Sequence, residues 1–111
     1  MKRVFFMSVV MSLAIISYAY PNSPSDIKIT LNARTVGIKV LHPVSDPSRH
    51  YVKTIVTKVN GAEAFRDEFK SQTGDHQELT REIPALKKGD ILAITAYCSL
   101  YGDLTKEAAV E

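Results

Sequence analysis

Apolar and polar residues alternate along much of the chain after residue 25, and this alternation predicts a protein built from β-strands. A period of two places the apolar side chains on one face of a strand, whereas an amphipathic helix has a period near 3.6. The first two strands are expected at two alternating groups: Ile27, Ile29 and Leu31, then Val36, Ile38 and Val40.

A hairpin is expected in the middle of the chain. Residues 51–59 are rich in β-branched side chains and end at Asn60-Gly61. Asn-Gly favours a two-residue type I′ turn, because both of its positions need positive φ. The return arm, residues 62–70, is also compatible with a helix, since Phe65 and Phe69 are four positions apart. The turn favours a strand.

The second half of the chain continues the same pattern. Polar loop or turn sequences alternate with short apolar-polar runs, and the run that ends at Cys98 is the clearest core strand. In order, we expect a loop at residues 71–76, a strand around Leu79, Arg81 and Ile83, a turn at Lys88-Gly89-Asp90, a strand at residues 91–98, a turn at Gly102-Asp103 and a strand at residues 104–110. Together these elements predict an all-β, immunoglobulin-like antiparallel β-sandwich of about seven strands, spanning residues 26–111.

The N-terminus has the three regions of a secretory signal peptide. Lys2 and Arg3 precede an uncharged apolar run, residues 4–16, and Ser17-Tyr18-Ala19 provides small residues for cleavage. The alternative is a retained membrane anchor, but a spanning helix needs about 20 apolar residues. We therefore predict a signal peptide over residues 1–19 and a periplasmic or secreted protein that leaves the membrane after cleavage.

Charge argues against a nucleic-acid partner. The chain has 14 Lys and Arg against 12 Asp and Glu, and removal of Lys2 and Arg3 leaves 12 of each sign. The remaining basic residues are scattered and are not interleaved with aromatic residues, so no nucleic-acid surface is predicted. Residues 20–25 form a polar, proline-containing linker before the domain.

The single cysteine leaves three interpretations open. Cys98 can be an inert buried thiol, a metal ligand or a bridge to a second copy in a homo-oligomer. His42 and His50 bracket one loop, and loops at one end of a sandwich converge in space. A thiolate with imidazoles suits iron, copper or zinc.

Three segments together resemble the iron domain of superoxide reductases, the family that includes the neelaredoxins and the C-terminal domain of desulfoferrodoxin. They are His42-Pro43, His50-Tyr51-Val52 and the Ala-Tyr-Cys-Ser-Leu-Tyr-Gly run at residues 96–102. The resemblance covers roughly residues 36–102. It implies a non-haem ferrous iron with four histidines in one plane and an axial cysteine thiolate. The open face would receive superoxide, and a separate donor would resupply the electron.

Residue by residue, the resemblance carries over to His42, His50 and Cys98 as metal ligands. Tyr101 stands where the family has a histidine three positions after the cysteine, and residues 20–41 contain no counterpart of the N-terminal ligand histidine. The candidate metal ligands are therefore His42, His50, Cys98 and Tyr101, with His76 as a substitute. Iron is the expected metal, a trigonal site of two histidines and one cysteine would suit copper, and a site without metal is the remaining alternative.

The expected function is that of an exported superoxide-reductase-like domain with a degenerate metal site and a redox role. A second resemblance gives an alternative of another class. The His-Pro, Asn-Gly and Lys-Gly-Asp spacing is similar to the small sandwich subunit that partners the sulfur-carrier protein of periplasmic thiosulfate oxidation. That subunit binds a protein and needs no metal. A structural module without a site is the third alternative.

Overall fold

The computed structural model describes residues 23–111, and this part of the chain folds into seven antiparallel strands without a helix. The predicted signal peptide and residues 20–22 of the predicted linker lie outside the described residues. The strands are β1 (Asp26–Asn32), β2 (Thr35–Leu41), β3 (Val52–Val59), β4 (Ala62–Glu68), β5 (His76–Glu82), β6 (Ile91–Cys98) and β7 (Asp103–Ala109).

The strands form two sheets, which confirms the predicted all-β sandwich. One sheet has the order β1-β2-β5 and the other the order β4-β3-β6-β7. The connection from β4 to β5 therefore crosses from one sheet to the other, as do those from β2 to β3 and from β5 to β6. Within the described residues there is no helix long and apolar enough to span a membrane.

The core lies between the sheets and follows the predicted alternation. On β2, Val36, Ile38 and Val40 are buried, whereas the residues between them are only partly buried. Full burial of such a side chain contributes about 1.5–3 kcal/mol. The first strand follows the pattern only at its start, since Ile27 is buried but Leu31 is 38% exposed. Its second half extends past the edge of the core. The other residues of the core cluster are Val52, Ile55, Ile83, Leu86, Leu92, Ile94, Ala96 and Val110.

The predicted hairpin is present, and the return arm is a strand. Asn60 has φ of 51° and Gly61 has φ of 87°, the positive values that a type I′ turn requires. Val59 pairs with Ala62 directly across the turn. The strand interpretation of residues 62–70 is therefore confirmed over residues 62–68.

The side chain of Asn60 also ties the hairpin to the start of β6. Its Oδ1 accepts a hydrogen bond from the backbone of Ile91 at 2.9 Å, and its Nδ2 donates to Asp90 at 2.9 Å. The pKa of the Asp90 carboxyl is held below its usual value, first by this amide donor and then by the backbone N–H and the ammonium group of Lys87. The turn before β6 thus has a fixed position against the hairpin.

One ion pair joins the two sheets on each open side of the sandwich. Arg81 on β5 pairs with Asp67 on β4 and lies 4.7 Å from the ring centroid of Phe65, also on β4. This carboxylate raises the pKa of Arg81 by accepting its hydrogen bonds and by its charge. On the other side, Lys106 on β7 lies 3.4 Å from Asp26 on β1.

Several element boundaries differ from the sequence predictions. His76, expected in a loop, begins β5, because it pairs with Leu41 at the end of β2. Asp103, expected in a turn, begins β7 by pairing with Tyr97. Ile83, expected in a strand, lies just after β5 and is buried in the core. In each case pairing with the neighbouring strand sets the boundary.

We expect Gly61→Val to lower the free energy of unfolding by about 1–2 kcal/mol, because a β-branched residue resists positive φ. No atom lies within 4 Å of the position a Cβ would take, so the cost is conformational and not steric crowding. Chemical denaturation measures it. Ala62→Val, at the adjacent exposed strand position, is the control and should change stability little. An unchanged denaturation midpoint for Gly61→Val would contradict the turn assignment.

Candidate metal centre

The candidate site lies at one end of the sandwich, where three connected segments meet. His42 directly follows β2, His50 lies two residues before β3, and Cys98 is the last residue of β6. Because β3 and β6 are antiparallel neighbours, the start of one adjoins the end of the other, and Val52 pairs with Cys98. The register therefore brings the histidine loop to the cysteine.

One potential ligand atom from each of His42, His50 and Cys98 lies within 4.8 Å of the other two. The two imidazole rings are 4.7 Å apart between centroids and nearly perpendicular, with an angle of 87°. Bonds of about 2.0–2.3 Å place two ligands of a tetrahedral ion roughly 3.5 Å apart. The three groups therefore need to approach by about an ångström to share one ion.

Two of the three candidate ligands are buried, and His50 is partly buried. His42 is 1% exposed and Cys98 is 8% exposed, and Cys98 continues the buried face of β6 formed by Leu92, Ile94 and Ala96. Cys98 therefore belongs to the core face and also adjoins the histidines.

A buried glutamine holds His42. Oε1 of Gln72 accepts hydrogen bonds from Nδ1 of His42 at 2.9 Å and from the backbone N–H of Val52 at 2.9 Å. Nε2 of Gln72 donates to the carbonyls of His42 at 2.7 Å and Gly74 at 3.1 Å. All four hydrogen-bonding positions of this amide are thus used.

This network assigns the tautomer of His42. The backbone N–H of Val52 can only donate and the two carbonyls can only accept, so the orientation of the Gln72 amide is determined. Nδ1 of His42 faces the amide oxygen and must carry the proton. The lone pair then lies on Nε2, and a hydrogen bond from the other ring nitrogen is the usual support of a metal-binding histidine.

The loop that presents His50 is shaped by Asp46. Its carboxylate accepts hydrogen bonds from the hydroxyl of Ser48 at 2.8 Å and the backbone N–H of Ser48 at 3.2 Å. These two bonds, helped by the charge of Arg49, lower the pKa of Asp46. Its backbone carbonyl accepts from the N–H groups of Arg49 and His50. The loop therefore ends in a single tight turn that positions His50.

His50 carries an unsatisfied polar atom at the site. Its Nε2 is buried and has no hydrogen-bond partner among the residues that the structure describes. A buried polar atom without a partner is unfavourable and is uncommon in folded proteins. Binding of an ion or another ligand at this nitrogen would remove that cost.

Cys98 is held by the turn that follows it. The backbone N–H of Leu100 donates to the cysteine sulfur at 3.3 Å, and the N–H of Cys98 donates to the carbonyl of Gly102 at 2.9 Å. Gly102 has φ of 96°, and a Cβ there would collide with the hydroxyl of Ser23. The turn therefore requires glycine, and the N-terminal segment packs against it.

The other two candidate ligands are Tyr101 and His76. Tyr101 is in the turn after β6 and is 61% exposed, and its role as a ligand stays a prediction. His76 begins β5, with its ring nitrogens 3.5 Å and 3.6 Å from the carboxylates of Asp75 and Glu78. It does not belong to the group that His42, His50 and Cys98 form.

Sequence reasoning did not identify the role of Gln72. In the sequence it is one polar residue in a segment of polar residues, residues 71–76, and nothing in its neighbours marks it as buried. Its role is evident only in the folded chain, where it lies between His42 and the start of β3.

Comparison with known proteins connects the fold to a named group. No protein-family model matches the chain, and no curated protein matches it. A superoxide reductase (1Fe-SOR) from Giardia intestinalis superposes with a TM-score of 0.63 at 21% identity, covering 80% of this chain and 97% of its own. One from Nanoarchaeum equitans gives 0.54 at 20%, covering 86% and 99%. A superoxide reductase in the oxidized state gives 0.55 at 19%, covering 91% and 99%.

The chain therefore has the fold of superoxide reductases over nearly their whole length. The resemblance predicted from the His-Pro, His-Tyr and cysteine segments is confirmed at the level of fold. The segments that carried it, around His42, His50 and Cys98, meet at one end of that fold.

We expect Gln72→Ala to lower the affinity for a metal ion by about 10- to 100-fold, because His42 loses the partner that orients its ring. The matched control is Gln77→Ala. Gln77 is also buried and donates to the carbonyls of Val52 and Ser71, but no bond joins its side chain to a candidate ligand. Metal titration of both folded variants checks the prediction, and an equal loss of affinity in the two would contradict it.

Proposed function

We propose that this chain is an exported metal-binding domain of the superoxide reductase type, with a redox role and a degenerate metal centre. The observation that carries the proposal is the convergence of His42, His50 and Cys98, with ligand atoms within 4.8 Å, in a fold shared with solved superoxide reductases. Superoxide is the proposed small-molecule oxidant, and a separate donor would supply the electron.

The donor types fit a transition metal, but their number falls short of the iron site that the resemblance implies. A thiolate with imidazoles suits iron, copper and zinc, and the unsatisfied Nε2 of His50 supports ligand binding. The implied iron site has four histidines and one cysteine, whereas here two histidines adjoin Cys98. The chain has three histidines in all, so it cannot supply four.

The chain's own groups prepare the site for a metal ion in three ways. Gln72 fixes the tautomer and orientation of His42, the turn formed by Asp46 positions His50, and the N–H of Leu100 fixes the sulfur of Cys98. Burial limits the access of water to these donors. Each ligand thus has a separate support from a different segment.

We expect the mature protein, purified without a histidine tag, to bind one transition-metal ion per chain. Cys98→Ala should abolish thiolate-to-metal absorption while the circular dichroism of the sandwich persists, because only the sulfur is lost. The control is His76→Gln, which removes the histidine outside the group and should leave binding unchanged. Elemental analysis and visible absorption are the measurements. A mature chain that takes up no iron, copper or zinc would refute the proposed function.

Export gives a separate expectation. The basic start, the short apolar run and the small residues before Tyr20 predict cleavage after Ala19. Intact-mass measurement of protein from the periplasmic or culture fraction should therefore show a chain that begins at Tyr20. A mass that retains residues 1–19 would contradict the predicted cleavage.

A further inference from the structure

His76 does not belong to the group of His42, His50 and Cys98. It lies on the outward face of its sheet. Val36, Ile38 and Val40 of β2 point into the core, so Leu41 is on the outward side of the alternation. His76 pairs with Leu41 and Gln77 with Val40, and Gln77 is buried. His76 therefore shares the outward side with Glu78, whose carboxylate is 3.6 Å from its ring.

A third imidazole is thus not available to the centre without breaking β5. His42, His50 and His76 are all the histidines of the chain, and Cys98 is its one cysteine. The three methionines, Met1, Met7 and Met11, are in the predicted signal peptide. Among the histidine, cysteine and acidic side chains of the described residues, those grouped at the site supply two imidazole nitrogens and one sulfur.

Burial opposes completion of a larger coordination shell by water. His42 is 1% exposed and Cys98 is 8% exposed, and one ring nitrogen of His50 is buried. Beyond the three donors of His42, His50 and Cys98, an ion with five or six ligands would need two or three more among these largely buried side chains. An ion that is stable with three or four ligands needs at most one.

Metal preference follows from the donor set. For one set of nitrogen and sulfur donors, the affinity of divalent ions rises from iron to copper and falls again at zinc, and proteins overcome this order through ligand number and geometry. A centre with two histidines and one cysteine has three ligands, whereas the implied iron site has five. Ligand number therefore does not favour iron here. Two histidines and one cysteine in a trigonal arrangement are a ligand set of copper sites.

We propose that His42, His50 and Cys98 form a low-coordinate site that selects copper over iron. This inference rests on the proposed function, which requires a metal ion at these residues, and it specifies which ion they bind. Gln72 keeps Nε2 of His42 as the donor, and Cys98 supplies the thiolate.

The test is a competition on the mature, tag-free apoprotein under anaerobic conditions. Copper(I), zinc(II) and iron(II) are each titrated against chelators of known affinity. We expect one copper per chain and an affinity for iron(II) that is weaker by at least about 100-fold, because thiolates select copper(I) and iron(II) is below copper(II) in the order of divalent ions. Loading with copper(II) should give strong thiolate-to-copper absorption.

Matched variants assign the binding to these residues. Cys98→Ser, which keeps the size and removes the thiolate, should abolish the thiolate-to-copper absorption and weaken copper binding by at least about tenfold. His76→Ala, which removes an imidazole on the outward face, should change neither. Circular dichroism confirms that both variants are folded.

The outcomes separate this inference from the proposed function. Iron(II) or zinc(II) bound as tightly as copper would overturn the copper preference and leave the metal-binding function standing. Copper binding that survives Cys98→Ser, or that is lost in His76→Ala, would overturn the assignment of the site. A protein that binds none of the three ions would overturn both the copper preference and the proposed function.

Discussion

The antiparallel pairing of β3 with β6 is the interaction on which the rest of the structure depends. These two strands are the centre of the four-stranded sheet and contribute Ile55, Ile94 and other buried residues to the core. At one end of the pair, Asn60 N–H donates to the carbonyl of Ile91, which fixes the hairpin. At the other end Val52 faces Cys98, which brings the histidine loop to the cysteine. A change of register by one residue would move Cys98 to the outer face.

The two ends of this pair are closed by different polar groups. At the hairpin end, the exposed amide of Asn60 donates to the buried carboxylate of Asp90. At the site end, Gln72 is buried and uses all four of its hydrogen-bonding positions. A buried amide is tolerated only when it is satisfied, because an unpaired polar group in the interior costs free energy. Gln72 therefore stabilises a single arrangement of His42 against β3.

The strands and the hairpin could be predicted from the sequence because their signals are local. A period of two marks the core face of β2 and β6, and Asn60-Gly61 marks its turn whatever surrounds it. The convergence of His42, His50 and Cys98 had no local signal, since it depends on the register of distant strands. It was predicted from the loop positions in a sandwich and from the resemblance to superoxide reductases. The role of Gln72, the outward face of His76 and the ion pair of Arg81 with Asp67 had no local signal. These three features depend on how the two sheets pack against each other.

The polar groups at the site end support the proposed metal site. A sandwich that needed only a closed end would fill it with apolar residues, as it does around Ile38 and Ile94. Here the chain buries His42 and partly buries His50 beside Cys98. Gln72 holds the ring of His42, and a buried nitrogen of His50 has no hydrogen-bond partner within residues 23–111. The first arrangement orients a donor, and the second costs free energy until something binds. The proposed site has fewer protein ligands than the five of the implied iron site, and it therefore suits an ion that needs fewer ligands.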